Sequence, residues 1–165
     1  MKNLVEIYAR CTNMLDDIGI EYGTIFNVTI NTRAKRRWGL CHKIADGIFK
    51  IEISSRLMED DIDMKQVEDT LIHELLHTCK GCMNHGAEWK KLADKVNRAY
   101  GYNIKRTASY AEVGISESER ESFAKHKFTC CRCGKSILRQ RESKFTKNWQ
   151  RYHCGICGGS FKKDF

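Results

Sequence analysis

Proline is absent from the 165 residues, and no hydrophobic run approaches the roughly 20 residues that a membrane-crossing helix needs. That excludes a spanning role on this reading, and no membrane partner is expected. The opening Met1-Lys2-Asn3-Leu4-Val5-Glu6 does not lead into a signal-peptide core, because Glu6, Arg10, Asp16 and Asp17 interrupt it. The expected compartment is the cytoplasm. Acidic charge is the third scarcity. Residues 121–165 hold 11 Lys and Arg against three Asp and Glu, whereas residues 1–120 hold 18 of each. The whole formal net charge of +8 therefore belongs to the C-terminal stretch. Four thiolates holding one Zn²⁺ there would bring its charge to about +6.

What is present fits a folded domain with a small appendage: 41% hydrophobic and 30% charged residues. The nine Cys are odd in number and fall in metal-like spacings. Without a secretion signal, that pattern favours reduced thiols and zinc over disulfides.

Along the chain, Asn3 with Glu6 makes a capping-box-like start. Leu4, Ile7, Tyr8, Cys11, Leu15 and Ile18 follow helical spacing, and Gly19 ends the run. Three alternating stretches follow, each read as a half-buried strand: Phe26, Val28 and Ile30; Trp38, Leu40, His42 and Ile44; Phe49, Ile51 and Ile53. Arg33 to Arg37 makes a basic turn, and Asp46-Gly47 a tight one. Asp60 to Asp63 leads into the next helix at its positive end. The order helix, three strands, helix, helix gives an α+β domain. Gly114 to Ser122 has no apolar face beyond Ile115 and reads as linker. The expected division is a domain over 1–112, a linker over 113–127 and a small module over 128–165.

The central motif is His73-Glu74-Leu75-Leu76-His77, followed eight residues later by His85. Positions four apart on a helix share one face, so His73 and His77 offer two imidazoles to one ion. Glu74 sits about 100° round the helix, within reach of a water on that ion. Composition alone yields the pattern in roughly 2% of shuffled chains. Here it also has its required setting, since Val67, Leu71 and Leu75 recur on the opposite side and neither Gly nor Pro occurs from Met64 to Lys80. Three protein ligands plus water is the catalytic arrangement of zinc. His85 is the expected third ligand, with Glu88 the alternative, and Asn84 reads as the N-cap of a helix through Glu88, Trp89, Leu92, Ala93 and Val96. Cys79 and Cys82 read as inert packed thiols, with a redox switch as the other reading.

The tail repeats one knuckle, Cys130-x-x-Cys133-Gly134 and Cys154-x-x-Cys157-Gly158, with 20 residues between Cys133 and Cys154. This is a zinc-ribbon spacing, and one redox pair would explain only one knuckle. Cys131 falls outside the ligand set. Arg139, Arg141, Lys144, Lys147 and Arg151 lie between the knuckles, interleaved with Phe145, Trp149 and Tyr152. Cations among aromatics suit a nucleic-acid strand, with Trp149 the expected stacking residue. The competing reading makes the aromatics the ribbon's miniature core.

Trp38-Gly39-x-Cys41, Ile51-x-Ile53-Ser54, His73-Glu74-Leu75-Leu76-His77, Asn84-His85-Gly86-x-x-Trp89 and the terminal ribbon together resemble the SprT-like zinc metalloprotease family, in its short bacterial or phage form. The resemblance spans most of residues 4–106 and again 128–161. It implies a minimal zincin-like metalloprotease domain plus a small C-terminal zinc ribbon, two zinc ions (one catalytic on His73, His77 and His85, one structural on Cys130, Cys133, Cys154 and Cys157), and a role at DNA, where relatives cleave crosslinked proteins. Protein substrates bound to DNA, and DNA itself, single strands included, are the implied partners. Glu74 would be the general base of peptide hydrolysis. A second stabiliser of negative charge is expected among Tyr100, Tyr102, Arg106 and Tyr110. The rivals are a non-catalytic DNA-binding protein with two structural zincs, which has no need of Glu74, and a zinc hydrolase of another substrate.

Overall fold

The computed structural model describes residues 2–34, 37–107 and 116–165. It is a mixed α+β structure in two compact units, Met1–Gly114 and Ile115–Phe165. No helix among the described residues is long and apolar enough to cross a membrane.

The first unit opens with helix α1, Leu4–Asp17, capped by the Asn3 side chain accepting from the Val5 N–H at 3.0 Å. Strands β1 (Thr24–Asn31), β2 (Gly39–Ala45) and β3 (Ile48–Ser54) form one sheet in the order β1-β3-β2. β3 is central, parallel to β1 and antiparallel to β2. Its alternation puts Phe49, Ile51 and Ile53 in the core, as the period-2 pattern predicts. Helix α2, Met64–Leu76, starts at Asp63, whose carboxylate accepts from the Lys65 N–H. Helix α3, Ala87–Tyr100, ends on Gly101 in the left-handed region, φ 69°.

The core gathers Ile7, Cys11 and Leu15 of α1, Ile51 and Ile53 of β3, Val67, Leu71 and Leu75 of α2, and Trp89, Ala93 and Val96 of α3. Ile72 and Leu76 are also fully buried, so α2 is enclosed on more than one side. A helix held this way can carry polar side chains at fixed positions on its remaining face.

Two strand faces differ from the sequence expectation. A bulge between Ile25 and Asn27 shifts the register of β1. Ile25 and Val28 pack on the core, while Phe26 is 75% exposed and Ile30 46%. In β2 the alternation expected inward runs outward beyond Trp38: His42 and Ile44 are exposed, and Gly39 and Cys41 pair with the buried Ile53 and Ile51. Polarity alternation alone could not reveal this, because a glycine occupies an inward position. Asn84 is not the cap of α3 either. Gly86 holds that position, and the Asn84 Oδ1 accepts from the Gly86 N–H at 3.0 Å.

The second unit begins with a short helix α4, Glu117–Ser122, in what the sequence suggests is linker; Ser116 caps it through the Glu119 N–H. Residues 113–115 of that linker lie outside the described residues. Strands β4 (His126–Cys130), β5 (Ser136–Arg139) and β6 (Phe161–Lys163) form an antiparallel sheet in the order β5-β4-β6. A one-turn helix α5, Lys144–Lys147, carries a capping box between Ser143 and Thr146. Phe128, Cys130, Cys154 and Phe161 are the buried centre.

Candidate metal centres

His73 and His77 project from the end of α2, and His85 from the loop leading into α3. The Nε2 of His73 lies 3.2 Å from that of His77 and 3.0 Å from that of His85. Zinc with Zn–N of about 2.0–2.1 Å in a tetrahedron separates its nitrogens by roughly 3.3–3.4 Å, so the three donors are already near ligand spacing. Glu88, the alternative third ligand, is exposed and not among the group.

Each of two imidazoles is held from behind. Nδ1 of His77 meets the Cys82 carbonyl at 2.8 Å, and Nδ1 of His73 meets that of Lys105 at 3.1 Å. A proton on Nδ1 leaves the Nε2 lone pair for an ion. Trp89 packs against all three, with ring centroids 4.7 Å from His73, 5.7 Å from His77 and 4.6 Å from His85. Burial, then the neighbouring His77 and His85, drive the His73 pKa down to about 3; burial, His77 and Arg106 lower that of His85. Without an ion, His73 and His85 resist protonation and so favour the neutral form that metal binding requires.

Glu74 lies against β2. It is 7% exposed, and burial raises its carboxyl to about 7, while the Cys41 backbone N–H and the nearby Arg37 pull it down. Gly39 makes this approach possible, since a Cβ there would sit 2.5 Å from Glu74 Oε1 and 2.6 Å from its Cγ. The pair Trp38-Gly39-x-Cys41 thus has a physical role: a backbone that Glu74 can touch, and an N–H to hold it. β2 has β3 on one edge and no other strand partner among the described residues.

Sequence reasoning missed the supports. Asn97 of α3 clamps the following segment, its Nδ2 donating to the Ile104 carbonyl at 3.0 Å and its Oδ1 accepting from the Ile104 N–H at 2.7 Å. That fixes the next residue, Lys105, whose carbonyl meets His73. A lone helix Asn seven residues before its partner leaves no periodic signal. The Cys82 carbonyl is invisible for the same reason, being backbone. Cys79 and Cys82 are buried thiols, and burial raises Cys79 to about 12. Of the four expected charge stabilisers, the Tyr100 hydroxyl donates to the Met14 carbonyl at 3.0 Å and the Tyr102 hydroxyl to Glu68 at 2.8 Å. Both are committed elsewhere. Tyr110 lies outside the described residues, as do Lys35 and Arg36 of the basic turn.

The second centre is Cys130, Cys133, Cys154 and Cys157. Cys130 Sγ is 3.5 Å from Cys157 Sγ, and Cys133 Sγ is 3.7 Å from Cys154 Sγ. Tetrahedral Zn–S bonds of about 2.3 Å imply S–S separations of roughly 3.8 Å, which these approach. The knuckles are equivalent: the Gly134 N–H bonds the Cys130 carbonyl at 3.0 Å and the Gly158 N–H the Cys154 carbonyl at 2.8 Å, both glycines at φ 71°. Backbone N–H groups of Cys133 and Arg132 bring the Cys130 thiol down to about 6, and those of Ile156 and Cys157 lower Cys154. Cys131 is exposed and outside the group.

Arg139, Arg141, Lys144, Lys147 and Arg151 are all exposed on this unit. Arg139 lies 5.7 Å over the Phe145 ring, and Lys147 pairs with Glu142 at 3.2 Å. Phe145 and Trp149 pack against the ribbon core, with centroids 4.9 and 6.1 Å from Phe128. Tyr152, 41% exposed with its edge on Phe145, is the accessible aromatic of the three.

A family model described as the SprT-like family matches residues 12–108, more than half of the chain and including Gly39, Glu74 and all three histidines.

Proposed function

This chain belongs to the SprT-like family, and from that premise we propose that it is a zinc-dependent endopeptidase of zincin-like layout acting on proteins associated with or crosslinked to DNA. The observation that carries the reading is the pairing of three convergent Nε2 atoms with a carboxylate one residue along the same helix, seated against an edge strand. A family of metalloprotease type and two donor sets of zinc spacing support it.

Zinc on His73, His77 and His85 would act as a Lewis acid and make a water acidic near pH 7. The remaining work falls to the chain. Glu74, steadied by the Cys41 N–H, takes the proton from the attacking water and delivers it to the leaving amine. An extended peptide pairs with the edge of β2 that has no strand partner among the described residues and lays its backbone beside Glu74. The ribbon supplies phosphate contacts through Arg139, Arg141, Lys144, Lys147 and Arg151; Tyr152 joins Trp149 as a stacking candidate because it is the more exposed.

The test is incubation with a DNA-bound protein, with and without DNA and with and without chelator. Cleavage that requires metal and rises with DNA is expected. Metal-replete protein that binds DNA and never cleaves would leave a binding protein with two structural zincs. Metal-dependent hydrolysis of small esters or amides alone would leave the mechanism and change the substrate.

A further inference from the structure

Two of the three imidazoles are held by a hydrogen bond at Nδ1, His73 to the Lys105 carbonyl at 3.1 Å and His77 to the Cys82 carbonyl at 2.8 Å. His85 has no such bond among the described residues; its Nε2 lies 3.0 Å from that of His73. What His85 has is the Trp89 indole, set T-shaped against it at a centroid distance of 4.6 Å. The same ring meets His73 at 4.7 Å and stacks on His77 at 5.7 Å, with 26° between the planes. Trp89 is 1% exposed and shares the buried face of α3 with Ala93 and Val96, so the core fixes the ring independently of the imidazoles. Its Nε1 is buried without a hydrogen-bond partner. Phenylalanine would avoid that orphaned donor, but its smaller ring cannot fill a space bounded by three imidazoles.

We propose that Trp89 is a positioning residue of the histidine centre, whose indole orients the three imidazoles toward one divalent ion, His85 above all; this rests on the metal-site part of the reading above and not on the substrate. His73 and His77 have α2 and a backbone carbonyl to fix them. His85 comes from the loop before α3, and the ring four residues further on is its support. The stacked contact with His77 also favours the loaded state. An imidazole bound to an ion takes up part of its positive charge, and the face of an indole is electron-rich. An unpartnered N–H in the core is a price in stability, and the observation fits a residue kept for the orientation of its neighbours.

Cobalt(II) is the probe, titrated into the full-length protein against a competing chelator. Occupancy of the histidine centre is read from its visible bands, which lack the sulfur-to-metal charge transfer of the ribbon's thiolates. Below the melting transition, Trp89→Phe should bind cobalt at the histidines about tenfold more weakly and Trp89→Ala about a hundredfold, the range of a lost support behind a ligand, with the ribbon site unchanged. A residue that only fills the core would lower the Tm of the metal-free protein and leave the affinity of the folded protein as it was. Trp89→Phe decides if Trp89→Ala does not fold. Parental cobalt affinity in Trp89→Phe, whatever its Tm, overturns the inference and leaves the metal site standing. A parent that takes up no cobalt at the histidines, or takes it up as tightly after His85→Ala, overturns the metal-site reading and the inference with it. Weakened cobalt binding by Trp89→Phe in a protein that cleaves no peptide removes the endopeptidase reading and keeps Trp89 as the positioning residue.

Discussion

The two units hold their donor sets in opposite ways. In the first, the histidines sit at the margin of a core built from α1, β3, α2 and α3, which closes without them. In the second, two of the four ligands, Cys130 and Cys154, are themselves half of the buried centre, with Phe128 and Phe161 the rest. A core that small does little to offset the entropy of ordering its chain, and an ion on its four thiols would supply the rest. On the proposed reading the first unit would keep a metal for chemistry, and the second would keep one to exist. Donor number agrees, three imidazoles against four thiols.

The largest test of that contrast is metal removal. A strong chelator, or Cys154→Ser, should collapse the second unit while the first keeps its fold. In amide NMR spectra, the signals of residues 126–163 should lose dispersion and those of α1, β3 and α2 should keep it. Structural zinc contributes on the order of 10–16 kcal/mol in small finger modules, so partial loss is not expected. Persistent dispersion from residues 126–163 without metal would undo the comparison.

Within the first unit, ligand and base should separate. His85→Ala should empty that centre and abolish cleavage, yet leave the ribbon's zinc and the unit's helicity unchanged. Zinc retained at parental affinity would move the third ligand elsewhere, to Glu88 first. Glu74→Gln should keep both zincs and lose cleavage by at least about a hundredfold, the usual scale of a lost general base. Normal turnover by that variant would mean the proton goes by another route.

Much of this was legible in the chain, for reasons that also explain the gaps. Histidine spacing of four and the knuckle repeats are set by local geometry, and His73, His77, Cys130, Cys133, Cys154 and Cys157 fall together accordingly. His85 needed only a loop that turns back. The inward face of β2 was hidden because its inward residues are Gly39 and Cys41, and hydropathy ranks neither above Ile44. The β1 bulge was hidden because one extra residue leaves no mark in alternation. The carbonyls of Cys82 and Lys105 were hidden because any residue carries one.

The clamp allows a finer cut. Asn97→Ala removes both bonds to Ile104, so the Lys105 carbonyl should drift from His73. Zinc affinity in the first unit should fall about 10–100-fold, the scale of a lost support behind a ligand, with the ribbon's zinc unaffected. Asn97→Asp still accepts from the Ile104 N–H but cannot donate to its carbonyl, and should lose less. Equal losses from both centres would point to general unfolding rather than a positioning role.

The smallest effects should lie on the ribbon's surface, where the contrast turns from metal to charge. A chain ending near Ser122 should keep the histidine-site zinc and bind DNA much more weakly, because residues 121–165 carry 11 cations against three anions. Binding by the whole chain should follow a log–log salt slope of roughly −2 to −4, for three to five phosphate contacts. Lys144→Ala should lower that slope by about one, since Lys144 makes no ion pair among the described residues. Lys147→Ala should lower it less, because Glu142 already neutralises part of that charge at 3.2 Å. The aromatics separate in the same assay. Trp149→Ala should loosen the ribbon, as Trp149 packs toward Phe128. Tyr152→Ala should keep the ribbon folded and weaken binding to single strands. Affinity lost through Trp149 with the ribbon and its zinc intact would return the stacking role to that residue. Equal DNA affinity with and without residues 123–165 would remove the ribbon as the nucleic-acid module and leave the basic turn from Arg33 to Arg37 as the next candidate.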